Sequence, residues 1–126
     1  MKDVNVGVIG LGNVGSGTLA ILHKNSAQIA QKLGFNLRVV AVCSRSVLAR
    51  TVPDVPSDAL HTADWREVVS HPDVHVVAEL VGGTTAAREM IEAAIAVGKS
   101  IVTANKELMA LEGAEIWDRA IKANIN

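Results

Sequence analysis

Three short segments carry residues whose types and spacing suit chemistry. The first, Gly10-Leu11-Gly12-Asn13-Val14-Gly15, has a G-x-G-x-x-G spacing and directly follows the apolar run Val4–Ile9. The first glycine allows a tight turn, the second lets backbone approach a pyrophosphate, and the third lets a helix sit close on a strand. The helix beginning there offers N–H groups and a partial positive charge to phosphates. A merely structural turn would also use glycines, but placement straight after a strand at the chain start favours dinucleotide binding. The second segment, Leu80-Val81-Gly82-Gly83-Thr84, ends another apolar run. Backbone at Gly82 and Gly83 can pack against a ribose, and a loop needing positive φ would use the same residues. The third is Thr103-Ala104-Asn105-Lys106. A lysine after a strand can orient a carbonyl or carboxylate or assist proton transfer beside a hydride path, or be simply solvated.

These segments need strands that end on one edge of a sheet, and the hydrophobic pattern supplies them. Strands are expected at Val4–Ile9, Leu37–Cys43, Leu60–Thr62, Val74–Val81 and Ser100–Thr103, and Leu37–Cys43 is an almost unbroken apolar run of the kind covered on both faces. A helix is expected over 13–33, with Val14, Thr18, Ile21, Leu22, Ile29 and Leu33 near helical spacing, Asn25-Ser26 as a break and Gly34 as its cap. From Ser44 to Ala59 the pattern fails, and Pro53 and Pro56 favour a loop. Asp64, with Glu67 three residues on, reads as the cap of a short helix ending before Pro72. Thr84 and Thr85 open a helix carrying Ala87, Met90, Ile91, Ala94 and Ile95, which Gly98 ends. A last helical region covers 107–123, with Gly113 as a dividing point. Alternating strands and helices predict an α/β, Rossmann-type doubly wound parallel sheet in the order 3-2-1-4-5, with its ligand at the switch point. Residues 1–126 then form one nucleotide-binding domain, cut off before a substrate and dimerisation domain. The Met just before the first strand argues against a large N-terminal fusion.

Dinucleotide choice belongs at the end of the second strand, where an NAD site places Asp or Glu on the ribose 2′-hydroxyl. Here the residues are Cys43-Ser44-Arg45-Ser46, with no carboxylate before Asp54. An arginine between serines can hold a 2′-phosphate by charge-assisted hydrogen bonds, so NADP is expected ahead of NAD. An exposed loop arginine is the plainer alternative.

Composition narrows the class. Of the 126 residues, 49% are hydrophobic and 20% charged, with a net charge of −1, and the aromatics are one Phe, two Trp and no Tyr. That gives no basic face and no stacking platform for nucleic acid. No apolar run nears the roughly 18 residues of a membrane span. The single Cys43 excludes an internal disulfide and a cysteine-based zinc site, and points to the cytoplasm. His23, His61, His71 and His75 share no metal-ligand spacing, so no metal is expected. Cys43 reads as a core residue, and Arg66, Glu67, Asp118 and Arg119 as solvated helix faces. Glu79 ends an interior strand, where it either accepts a backbone N–H or faces the crevice.

Taken together, Val8–Gly15, Glu79-Leu80-Val81-Gly82-Gly83 and Thr103-Ala104-Asn105-Lys106 resemble the homoserine dehydrogenase family. The spacing across Leu37–Arg45 and the helix before Gly98-Lys99 fit too, so the likeness covers essentially the whole chain as that enzyme's N-terminal nucleotide-binding domain. The resemblance implies an oxidoreductase interconverting L-homoserine and L-aspartate 4-semialdehyde, on the route to threonine and methionine. It implies Lys106 as the catalytic lysine near the reacting carbonyl. The cofactor contacts expected are Gly10, Gly12, Asn13, Val14, Gly15, Ser44, Arg45, Ser46, Val81, Gly82, Gly83, Thr103, Asn105 and Lys106. It also implies a homo-oligomeric parent enzyme whose homoserine-binding residues lie in a following domain, leaving this piece inactive alone. Two alternatives stand beside it. Glucose–fructose oxidoreductase-like enzymes usually carry Glu-Lys-Pro after the fifth strand, where this chain has Asn105-Lys106-Glu107. A non-catalytic nucleotide-sensing module would leave Lys106 without a purpose.

Overall fold

The computed structural model describes residues 2–44, 54–81 and 85–125, with backbone alone at 13, 85, 106–108, 111 and 112. Five strands alternate with helices: β1 (Asp3–Ile9), α1 (Asn13–Lys24), α2 (Ser26–Leu33), β2 (Asn36–Cys43), β3 (Leu60–Thr62), α3 (Trp65–Val69), β4 (Val76–Glu79), α4 (Thr85–Ala96), β5 (Ser100–Thr103) and α5 (Lys106–Lys122). All neighbours in the sheet are parallel, in the order β3-β2-β1-β4-β5. This is the topology expected from the sequence, and it brings every strand's C-terminal end to one edge.

Helices cover both faces of the sheet. Val6 and Val8 of β1 pack with Leu11 and Leu19 on the α1 side, whereas Ile9 packs with Val68, Val69, Met90 and Ala94 on the α3–α4 side. A bulge keeps β2 in step with this division. Val6 pairs with Val39 but Gly7 pairs with Ala41, so Val40 is the extra residue. As a result Val39 and Val42 face the α1 side, while Val40, Ala41 and Cys43 face α3 and α4. A third cluster, Ala87, Ile91, Ile95 and Ile116, joins α4 to α5.

Several local expectations change. The long first helix does divide at Asn25, and Gly34 ends the second piece in the left-handed region at φ 80°. Its buried face is different, however: Leu19 is buried, while Val14, Ile21 and Leu33 are exposed. Apolar spacing alone could not phase that helix, because apolar residues occur on more than one side of it. β4 is four residues, not the eight of Val74–Val81. Before it, Val74 N–H turns to the His71 carbonyl, and after it Val81 N–H turns to the Glu79 side chain. α5 runs unbroken through Gly113, where Met109 packs alongside. Arg119 is not simply solvated: it reaches Glu92 of α4, which also pairs with Arg88, and Arg88 pairs with Glu115 of α5. Arg66 lies over the Trp65 ring at 4.6 Å.

The close seating of α3 on β1 depends on Gly7, since a Cβ there would fall 2.5 Å from Cγ1 of the fully buried Val68. Gly7→Ala is therefore expected to destabilise the fold by about 1–3 kcal/mol through overpacking. A lower urea midpoint at unchanged slope would register this, and an unchanged midpoint would refute it.

Candidate functional site

At the C-terminal edge the sheet does not stop cleanly; its ladder continues into the loops. Gly10 N–H donates to the Cys43 carbonyl (2.8 Å), Leu80 N–H to Ile9 (2.8 Å), Ala104 N–H to Glu79 (3.2 Å) and Ser44 N–H to Thr62 (3.2 Å). The glycine turn, the residue after β2, the loop after β4 and the segment before α5 are thus pinned to one another by backbone.

Within the turn, each glycine has a distinct constraint. Gly10 adopts φ 99°, and a Cβ there would press on the Leu80 carbonyl carbon at 2.9 Å. A Cβ at Gly15 would overlap the Gly10 carbonyl oxygen at 1.9 Å, so α1 can begin this close to β1 only with glycine. At Gly12 a Cβ would meet nothing within 4 Å: the space above it is open. Gly12 is the N-cap of α1 in extended conformation (φ −73°, ψ −157°) and offers no capping side chain, and no acidic residue lies in the helix's first turn. The amides of Asn13, Val14 and Gly15 therefore have no acceptor within the helix. Ser16 braces the turn, donating its hydroxyl to the Leu11 carbonyl (3.0 Å) and its amide to Gly12 (2.9 Å). The arrangement suits an anion at the helix end.

Beside the turn lies a cleft of about 560 Å³ lined by Gly10, Cys43, Ser44, Ala63, Trp65, Val81, Ala86 and Met90 among others. Of the residues singled out from the sequence, it gathers Gly10, Ser44 and Val81. The capping signature did locate α3, because the Asp64 carboxylate accepts Arg66 N–H at 3.0 Å. Nothing in the sequence marked Trp65, Ala63 or Met90 as a wall of this cleft, since what brings them together is the packing of α3 over β1 and β2 beside α4 over β4 and β5.

On the β5 side, Thr103 donates its hydroxyl to Glu79 (2.5 Å) and accepts Asn105 N–H (3.0 Å), and Asn105 is buried. The two roles left open for Glu79 are thereby resolved in favour of accepting a backbone N–H, from Val81 at 3.0 Å. α5 starts at Lys106 on this same edge. Arg45, Ser46, Gly82 and Gly83 lie outside the described residues, as do the side chains of Asn13 and Lys106. Val14 is 57% exposed at the helix end. Two of the histidines have structural partners away from this edge: His75 Nδ1 accepts Asn5 N–H, and His71 Nδ1 accepts Asp73 N–H. Among the described residues no group of three or more His, Cys, Asp or Glu could hold a metal ion, and no helix is long and apolar enough to cross a membrane.

Cys43 is buried as expected, on the wall of the cleft. Burial, reinforced by the negative charges of Asp64 and Glu67, pushes its thiol up to about 11 from 9.0. The thiolate is the reactive form, so alkylation by iodoacetamide at pH 8 should be roughly 100-fold slower than for an unperturbed thiol. The rate should climb with pH toward that raised value. Alkylation at the rate of free cysteine, followed by mass spectrometry, would contradict this environment.

Comparison with known proteins agrees with the geometry. Residues 10–125 match the family described as homoserine dehydrogenase, NAD binding domain. A homoserine dehydrogenase of Neisseria gonorrhoeae is 43% identical over 125 residues, covering 99% of this chain and 28% of that protein. The crystal structure of a homoserine dehydrogenase from Thiobacillus denitrificans superimposes with a TM-score of 0.86 at 38% identity, covering 99% of this chain and 28% of that one. The fold is shared too with a hyperthermophilic archaeal homoserine dehydrogenase mutant in complex with NADPH (TM-score 0.74, 23% identity, covering 98% of this chain and 43% of that one). The chain thus spans a little over a quarter of the length of such bacterial relatives, and it belongs to the homoserine dehydrogenase family, matching its NAD-binding domain.

Proposed function

We propose that this chain binds NADP(H) in preference to NAD(H), and that, joined to the remaining residues of a homoserine dehydrogenase, it interconverts L-homoserine and L-aspartate 4-semialdehyde. The carrying observation is the uncapped N-terminus of α1 beneath the open space at Gly12. Backbone N–H groups of residues 13–15 would hold the pyrophosphate, which needs no side chain there and tolerates none. The cleft walled by Trp65, Met90 and Ala63 is apolar enough for the adenosine half, and Ser44 stands at its rim. Arg45 and Ser46, following directly in sequence, are the proposed 2′-phosphate ligands, with no carboxylate before Asp54 to repel one.

The nicotinamide half would then lie over the ends of β4 and β5, against Val81, Gly82, Gly83, Thr103 and Asn105. A bound nicotinamide supplies the hydride chemistry. Lys106, opening α5 at that edge, is the residue proposed to orient the carbonyl oxygen and stabilise charge developing on it. The 126 residues alone are proposed to bind cofactor without turnover, and the parent enzyme to be a homo-oligomer, as the family resemblance implies, working in the cytoplasm. A buried free thiol at Cys43 suits a reducing compartment.

Calorimetric titration of the chain with NADPH and NADH tests the reading. NADPH should bind at least about tenfold more tightly, and Arg45→Ala should remove that difference. Equal affinities would overturn the 2′-phosphate assignment. Gly12→Ser separates binding from folding. Serine is a good N-cap in the conformation Gly12 already adopts, so the thermal midpoint should hold or rise. Its hydroxyl would cap the amides meant for phosphate, and affinity should fall by roughly tenfold or more. Undiminished affinity in Gly12→Ser would remove the helix N-terminus from the site.

A further inference from the structure

Only three buried polar or charged residues are described, Thr62, Glu79 and Asn105, and all three sit at or just past C-terminal strand ends. Glu79 is the extreme case, with no exposed surface at all. It occupies the last rung of β4, paired in register with Ile9 of β1 on one side and Thr103 of β5 on the other. None of the ion pairs among the described residues involves it. A carboxylate placed there incurs a desolvation cost that an apolar residue of similar size would avoid. What it provides instead is direction.

An ionised carboxylate only accepts hydrogen bonds. Oε2 therefore claims the single hydroxyl proton of Thr103 (2.5 Å), which leaves the Thr103 lone pairs for Asn105 N–H (3.0 Å). Oε1 accepts Val81 N–H (3.0 Å), and the Glu79 main-chain carbonyl accepts Ala104 N–H (3.2 Å). One residue thus sets the exit path of the chain from β4 and, through Thr103, its exit path from β5 into Asn105 and the start of α5. We propose that Glu79 and Thr103 are a pair of positioning residues for the nicotinamide half of the cofactor site. They fix the backbone at Val81 and Asn105 and, with it, where Lys106 begins. Ser16 braces the glycine turn, and the cleft walls at Trp65 and Met90 rest on the packing of α3 and α4; Val81 is the cleft residue that Glu79 also holds, and Thr103→Val leaves that bond in place. The inference rests on the cofactor reading above.

The experiment compares NADPH with adenosine 2′,5′-bisphosphate, which lacks the nicotinamide half, on the 126-residue chain. Thr103→Val keeps the β-branched shape and removes the hydroxyl, Thr103→Ser restores it, and Glu79→Gln replaces one acceptor oxygen with a donor. Amide hydrogen exchange at Val81 and Asn105 is followed alongside. In Thr103→Val, Asn105 exchange should quicken by about tenfold or more while Val81 stays protected. NADPH affinity should fall by roughly 5–20-fold with the bisphosphate within about twofold, and Thr103→Ser should recover both. Glu79→Gln, which also loosens Val81 on the cleft wall, should weaken NADPH more than the bisphosphate, with Val81 exchange also affected. Equal weakening of both ligands would mean that the pair merely holds the fold, and an unchanged NADPH affinity or Asn105 exchange would also overturn the proposal. If the unsubstituted chain binds neither ligand, the cofactor reading fails and this inference falls with it. If the unsubstituted chain binds both and Thr103→Val lacks the selective loss, this inference alone fails.

Discussion

The approach of α1 to β1 at the glycine turn is the constraint on which the rest of the molecule depends. No side chain of any size fits at Gly15, because the Gly10 carbonyl oxygen occupies the space where its Cβ would be. That contact aims the start of α1 at the C-terminal edge of the sheet and lays Leu19 over Val6, Val8, Val39 and Val42. It also leaves the first-turn amides without internal acceptors, which in a buried helix end would be costly and at an anion site is useful. Packing and binding therefore come from one geometric fact. A larger residue at Gly15 would disturb the core and the proposed phosphate cradle together, whereas Gly12, with open space around it, would bear on the proposed cradle alone.

The two edges of the sheet are built for different ends. At the N-terminal edge, side chains tie loops together: Lys99 reaches the His71 carbonyl, Asn5 donates to the Asp73 carbonyl, and Asn5 N–H donates to His75. Burial lowers the Lys99 amine below its ordinary value, as expected of a cation used as a clip rather than displayed to solvent. At the C-terminal edge, backbone-to-backbone bonds carry the ladder on into the loops. Among the side chains that take part, Ser16, Thr62, Glu79 and Thr103 act from within.

Much of the architecture was legible in the residues, for a physical reason. Central parallel strands are near-continuous apolar runs, so β1 and β2 fall within a residue of the bounds their sequences indicate; β3 and β5, short strands at the sheet edges, fall on theirs. The glycine turn was legible because its constraint is local backbone geometry, and so was Asp64, which caps a helix from its own segment. What escaped depends on distant partners. The bulge at Val40 exists to match β1, the early end of β4 follows from a side chain turning back on its own loop, and the choice of Leu19 over Ile21 as the buried face is made by the sheet. Trp65 becomes a wall of the cleft only once α3 is seated on Gly7. Arg119 needed Glu92, which lies 27 residues earlier on another helix.

The same division between local and distant determinants separates the two halves of the candidate site. The proposed pyrophosphate cradle is one contiguous segment, from Gly10 to Ser16, whose shape is enforced by missing side chains and a single hydroxyl. It would take much the same form in any chain with that turn after a parallel strand. The opposite half is assembled from two segments 24 residues apart, joined through a carboxylate with no exposed surface and a threonine. A glycine cradle holds phosphate by absence and is indifferent to what is attached further along the ligand. A directed relay from Val81 through Glu79 and Thr103 to Asn105 fixes relative position across two strands, and a reacting centre requires that kind of precision where a phosphate does not. On the proposed reading, affinity and alignment fall to different residues, so substitution would alter one while leaving the other in place.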